Sequence, residues 1–258
     1  MNESNPDKTK PHKALEGGIL GVDAGLALFE GGPTGRGVYA KLRDGIVRLD
    51  LPPGTPLLRA ELAETHGVSL TPLRDALQQL AKEGLVQIFP QSRTLVTQID
   101  TTAILEAQFM RIALETEVVR TLATDIAPED LARLRSIVSL QAGIAENPAD
   151  MPTFQELDEM FHQTLFAAAG HAHSQRILRS HAGHLERLRR LDLDEGDSAA
   201  RMVNNRQVIA GHTEILDGIA ANDPDRAMTS LRSHLQRTLG RMTEKRAAFP
   251  DYFALDKP

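Results

Sequence analysis

The stretch GVSLTPLRDALQQLAKEGLV, Gly67 to Val86, decides how the chain is read. Gly67 breaks one helical pattern, and Ser69 stands where an N-cap hydroxyl can satisfy the free amides of the next helix. That helix runs from Thr71 or Pro72 to Glu83, and Gly84 ends it. Upstream, Val38, Leu42, Ile46 and Val47 share one face of a helix that stops before LDLPPGTPL, a Pro-Gly turn. A short helix over Arg59–Thr65 then turns Leu62 and Ala63 inward. Downstream, LVQIF and TLVTQI are two short β-type runs around PQSR. Three helices and a hairpin within about 65 residues predict a winged helix-turn-helix.

Beyond Asp100 the strand signals stop and helix-period segments succeed one another with short breaks. They run near 102–125, 128–147, 152–169, 173–193, 199–221 and 224–245. The fold class expected is mainly α, a winged helix-turn-helix over 35–98 followed by an all-α antiparallel helical bundle over 101–247. Residues 1–34 show no sustained period and predict a flexible arm, while 248–258 predict a C-terminal tail. The piece GGPTGRG lacks the Gly-Lys-Ser/Thr ending of a phosphate loop and no strand pattern leads into it.

The 258 residues are 41% hydrophobic and 25% charged, an ordinary globular balance that excludes a fibre. Apolar runs are short and interrupted by charge, and no apolar signal core opens the chain, so the expectation is a cytoplasmic protein without membrane contact. The absence of cysteine removes disulfides, thiolate metal sites and cysteine nucleophiles together. His, Asp and Glu are left as the strong metal ligands. A net charge of -6 argues against a chain coated in nucleic acid, yet from Gly35 to Gln98 basic residues slightly outnumber acids.

In a helix-turn-helix the second helix enters the major groove and its first residues meet base edges and phosphates. Here those residues are Ser69, Leu70, Thr71, Pro72 and Arg74. Arg74 can fork onto a guanine or clamp a phosphate; the plain alternative is a solvated surface arginine. In the helical half, LDEMFHQTLF places Asp158 and His162 four residues apart on one helix face. That spacing suits two ligands for one metal, although by itself such a pair is more often a surface hydrogen bond. His212 in GHTEILDGI and His234 in LRSHLQRTL sit on two amphipathic helices joined by ANDPD, a hairpin that can bring the imidazoles together. His181 and His184, among the cations of RSHAGHLERLRR, read as surface or dimer-face residues, and His66 as partly buried.

With these motifs the chain resembles the GntR family of bacterial transcription regulators, in its FadR-type branch with the helical domain called FCD. The similarity runs through VYAKLRDGIVRLDLPPGTPLLRAELAETHGVSLTPLRDALQQLAKEGLVQ. In the family the turn typically reads Val-Ser-Arg-Thr-Pro-Val-Arg, so Ser69, Thr71, Pro72 and Arg74 agree while Leu70 replaces a DNA-contacting arginine. A Glu is typical where Arg59 stands, and the next position, often Arg, is Ala60. The resemblance implies that Arg59 could supply a backbone contact and that Leu70 could meet a thymine methyl. Arg93, at the wing tip with Gln91 and Ser92, is a phosphate candidate or an exposed turn residue.

The FCD resemblance implies that Asp158, His162, His212 and His234 hold one divalent metal, of which Zn, Ni, Fe and Mn all suit three imidazoles and a carboxylate. It further implies a small carboxylate effector at that metal, with Arg111 lining the effector cavity; spacing alone also allows Arg111 to pair with Glu115. The expected protein is therefore a homodimeric, ligand-responsive regulator that binds double-stranded operator DNA. A metalloenzyme is disfavoured, because no HExxH motif appears and no general base is singled out near the ligands. A constitutive architectural DNA binder is the remaining alternative.

Overall fold

The computed structural model describes residues 33–191 and 198–255. Its first part comprises helices α1 (Pro33–Val47), α2 (Arg59–His66) and α3 (Leu70–Lys82) and the hairpin β1 (Val86–Ile88) and β2 (Thr94–Val96). The strands run antiparallel, with Val86 opposite Val96, Gln87 opposite Leu95 and Ile88 opposite Thr94. Val38, Leu42 and Ile46, one helical turn apart on α1, meet Leu73, Leu77 and Leu80 of α3 and Val86 and Val96 of the wing in one apolar cluster. The Pro-Gly segment lies along β2: the Gly54 and Leu57 amides donate to the carbonyls of Val96 and Thr94 at 2.9 and 2.8 Å.

The second part is all helical: α4 (Thr101–Leu122), α5 (Pro128–Ile144), α6 (Met151–Ala168), α7 (Ala172–His181), α8 (Gly183–Arg190), α9 (Ser198–Ala220), α10 (Pro224–Gly240) and α11 (Met242–Ala248). Asp223 caps α10 by accepting from the Arg226 amide, which fixes the tight turn after α9. α10 packs on both α9 and α4, and α5 on α6 and α9. Their shared core includes Val119, Leu134, Phe161, Leu165, Ile215 and Leu231, each fully buried. The chain is thus mainly α, with a small winged head preceding a helical bundle.

Several local expectations change. α1 starts at Pro33 rather than Val38, because proline suits the first helical position and needs no amide partner there. The rest of the expected arm lies outside the described residues. Ser69 occupies the N-cap of α3, but its side chain makes no cap hydrogen bond. The helix expected over 173–193 is two helices that break at Ala182. The break brings Gly183 against the head: a Cβ there would stand 2.7 Å from Leu85 Cδ2, so only glycine permits the approach without displacing Leu85. The segment after 248 is not a loose tail, since Phe253 is buried and the Ile99 amide donates to Tyr252 O at 2.7 Å.

His184, expected at the surface, is buried where head and bundle meet. Its Nδ1 accepts from the Asp100 amide at 2.9 Å and from Arg187 Nη2 at 2.8 Å, and the ring also bonds the Gly84 carbonyl. Helix α8 creates that burial through tertiary packing, with Leu185 and Leu188 closing on Ile99, Ile104 and Phe253. Because Leu80 is fully buried in the head, Leu80→Ala is expected to cost about 2–5 kcal/mol, read as a lowered denaturant midpoint with amide exchange quickened first in α1, α3 and the wing.

Candidate metal centre and DNA-reading surface

Helix α6 turns Asp158 and His162 inward, α9 contributes His212 and α10 contributes His234. All four are buried, and one ligand atom from each falls within 4.8 Å of those of the others. The His212 and His234 ring centres are 4.5 Å apart, and His162 lies 5.4 and 5.3 Å from them. Phe161, the residue before His162 on α6, stacks on His212 with centroids at 3.9 Å and closes one side of the cluster. Close approach of α9 to α10 needs Gly211, where a Cβ would stand 2.7 Å from His234 Nδ1.

The surrounding groups set where the protons sit. Glu115 on α4 places Oε2 at 2.6 Å from His162 Nδ1, a contact that orients the ring. Gln141 on α5 donates through Nε2 to Phe154 O at 3.2 Å, so its Oε1, 3.0 Å from His212 Nδ1, acts as the acceptor. That contact favours a proton on Nδ1 of the neutral His212 ring. Its Nε2 faces Asp158 Oδ1 at 3.4 Å. The Nε2 atoms of both His162 and His212 are buried without a hydrogen-bond partner. Two imidazole nitrogens without partners and a carboxylate oxygen converge in a buried site, and a cation between them would satisfy all three. His234 differs, since Arg237 Nη2 lies 2.7 Å from its Nδ1 and can only donate.

Burial pulls His212 down to about 4 and holds His234 well below the usual imidazole range, the neighbouring rings adding to the effect. Burial raises the Asp158 carboxyl, but the Arg189 guanidinium outweighs it and keeps the group well below the usual carboxylate range. Glu115 behaves likewise: burial opposes its charge, and Arg111 and His162 bring it to about 2. Arg111 Nε sits 2.5 Å from Glu115 Oε1, and Arg111 also lines a cavity of about 70 Å³ beside the cluster. The two readings of Arg111 are thus compatible. That cavity is walled by Asp158 and His234 together with Arg111, Arg189, Arg201, Arg237 and Arg241, a cationic lining that suits an anion.

Among the DNA candidates, Arg59, Ser69, Leu70, Thr71, Arg74 and Arg93 are all exposed. Leu70 opens α3 with 62% of its surface accessible, an uncommon position for a large apolar side chain in a head that buries the rest of its leucine stripe. Arg93 holds its guanidinium 5.2 Å over the Phe89 ring, which orients it at the wing tip. Gly35 packs on Pro72, so the exposed Arg36 at the start of α1 shares the end of the head where α3 begins.

Glu115, Gln141 and Arg189 were not singled out as members of the cluster from sequence, since each approaches it from a different helix. Glu115 was visible only as a partner for Arg111, and Arg189 only as one of several cations after His184. Arg189 is in fact the counter-ion of Asp158.

Residues 34–96 match the family described as "Bacterial regulatory proteins, gntR family", and residues 106–237 match the FCD domain. The chain is 36% identical over 231 residues, 90% of this chain and 94% of the relative, to an uncharacterized HTH-type transcriptional regulator in an unstable DNA locus of Streptomyces ambofaciens. It is 28% identical over 222 residues, 86% and 94% of the two chains, to the HTH-type transcriptional repressor RspR of Escherichia coli K12. In fold it is similar to E. coli McbR/YncC, with a TM-score of 0.70 at 19% identity over 82% of this chain and 98% of that one.

The histidines at the cluster and junction yield a pH dependence. His212 and His184 both fall from an ordinary value of 6.5 to about 4, chiefly through burial, so the unfolded chain binds protons that the folded one refuses. Stability of the metal-free protein is expected to be level above pH 6.5 and to decline as pH falls from there toward 4, by on the order of 2 kcal/mol per histidine at pH 5. Denaturant titrations with chelator at pH 7.5, 6 and 5 measure this; stability that holds or rises on acidification would contradict the neutral assignment.

Proposed function

Because the chain belongs to the GntR family of bacterial regulatory proteins and carries an FCD domain, it is a DNA-binding transcription regulator and not an enzyme, and we propose that a divalent metal and a small anionic effector control it. The observation that carries the metal is the convergence of ligand atoms from Asp158, His162, His212 and His234 within 4.8 Å of one another, all four residues buried, with the Nε2 atoms of His162 and His212 lacking a hydrogen-bond partner. Asp158, His162, His212 and His234 would hold the ion, with Glu115 and Gln141 orienting two of the rings. Ligation by His234 through Nδ1 requires its contact with Arg237 to open. When bound, the ion supplies a Lewis-acid site for an anionic oxygen; Zn, Ni, Fe and Mn all suit these donors. Arg111, already desolvated and fixed by Glu115, would fork onto the carboxylate of the effector at the edge of the cavity.

The head would act in a homodimer on a two-fold operator, one α3 in each major groove. Arg74 and Thr71 would contact bases or phosphates, Arg59, Arg93 and Arg36 the backbone, and Ser69 the flanking phosphates. Exposed Leu70 is suited to a thymine methyl and cannot supply the charged contact an arginine would make there. No helix among the described residues is long and apolar enough to cross a membrane.

Selection of genomic fragments at near-physiological salt is expected to enrich a palindrome, since base readout persists where phosphate contacts weaken. On that fragment Arg74→Ala should cost about 1–3 kcal/mol of affinity, and an unchanged affinity would remove Arg74 from the reading surface. Elemental analysis of the purified protein is expected to find close to one divalent ion per chain and none in the double variant His212→Ala, His234→Ala. A full complement of metal in that variant would show the ion lies elsewhere.

A further inference from the structure

Helix α8 is two turns long, yet its side chains reach both the candidate metal centre and the head. Arg189 pairs with Asp158 Oδ2, so the same carboxylate has one oxygen on α8 and the other facing His212. Three residues earlier, Glu186 accepts from Arg43 Nη1 at 3.0 Å. That guanidinium also bonds Glu83, just past the end of α3, at 3.0 Å and the Arg179 carbonyl at 2.8 Å. Between them, Arg187 is fully buried and donates to Thr97 O at 2.7 Å and Thr97 Oγ1 at 3.3 Å, where β2 passes into the linker. His184 receives the Asp100 amide that follows.

A helix rises 1.5 Å per residue, so α8 brings these contacts to within about a turn of one another. It has little freedom to absorb a displacement, with Leu185, Leu188 and Gly183 packed hard against the linker, α4 and Leu85. The charges supply the drive. Asp158 would share its charge between Arg189 and a cation held by the cluster, and its hold on the Arg189 guanidinium would weaken, since buried charges are poorly screened. The chain of contacts from there to α3 is short: Asp158, Arg189, the α8 backbone, Glu186, Arg43, Glu83.

We propose that α8 is the coupling element of this regulator, in which Arg189 senses the charge at the metal centre while Glu186 and Arg187 transmit the displacement of α8 to the DNA-reading head. This rests on the reading of the cluster as a divalent metal site. Arg189, Glu186 and Arg187 are positioning residues: they touch neither DNA nor the ion.

The chain has no cysteine, so a pair introduced at Ser92→Cys on the wing and Ser136→Cys on α5, both exposed, can carry spin labels uniquely. The full-length protein is stripped of metal and diluted with unlabelled chain to isolate the intrachain distance. Zn²⁺ alone is then added while its binding is followed by calorimetry. In the otherwise native chain Zn²⁺ is expected to bind and to shift the distance distribution. In Arg189→Met the shift is expected to be lost, or present before Zn²⁺ is added, with Zn²⁺ still bound. In Glu186→Gln combined with Arg187→Met, Zn²⁺ binding should persist while the distribution broadens and stops responding. Should that pair fail to fold, Glu186→Gln alone is expected to reduce the shift. Bound Zn²⁺ with no shift, or the same shift in Arg189→Met as in the native chain, would overturn the coupling alone. No Zn²⁺ binding in the native chain would overturn the metal reading and the coupling with it.

Discussion

A buried carboxylate with nowhere to send its charge except to its neighbours organises the helical half of this protein. Asp158 is enclosed by α6, α8 and α9, and burial by itself would push its proton back on. Arg189 keeps it ionised from one side, and on the other it faces the His212 ring. The histidines are oriented by groups on further helices, and the Nε2 atoms of His162 and His212 are left without partners, so the centre is not a closed hydrogen-bond network. Under the proposed function this imbalance is what selects a cation.

The same carboxylate ties the centre to the rest of the molecule. Arg189 belongs to a helix whose next turn grips the head through Glu186 and Arg187, so the polar interior of the bundle and the setting of α3 share a rigid element. The break before Gly183 makes this possible: continuing α7 unbroken would carry these residues away from Leu85 and the linker. The Ile99–Phe253 pairing adds a second tie at the same junction, with the last described residues clamping the linker from the other side.

On the head, the reading end of α3 departs from the usual pattern of the family at one place, and the structure leaves that place open. Leu70 is neither part of the core nor covered by a neighbouring element. An apolar side chain so exposed on a DNA-binding head is consistent with readout that includes a methyl group rather than a guanine edge.

The sequence by itself determined the architecture of the chain. The helix-turn-helix, the wing and the succession of helices follow from local periodicity, Gly and Pro punctuation and caps such as Asp223, all short-range effects. The four ligand-type residues were legible as a set only through the family pattern, because an Asp and a His four apart on one helix more often form a surface pair. The tertiary structure decided everything that depends on a neighbour from another helix. Glu115 and Gln141 orient two rings from α4 and α5, and Arg189 pairs with Asp158 from α8. His184 reads as a surface residue beside its cations and is buried at the junction once α8 folds against the head. Helical periodicity reports which face of an element is apolar; the partner that a buried polar group finds on that face is a product of packing, and no local pattern encodes it.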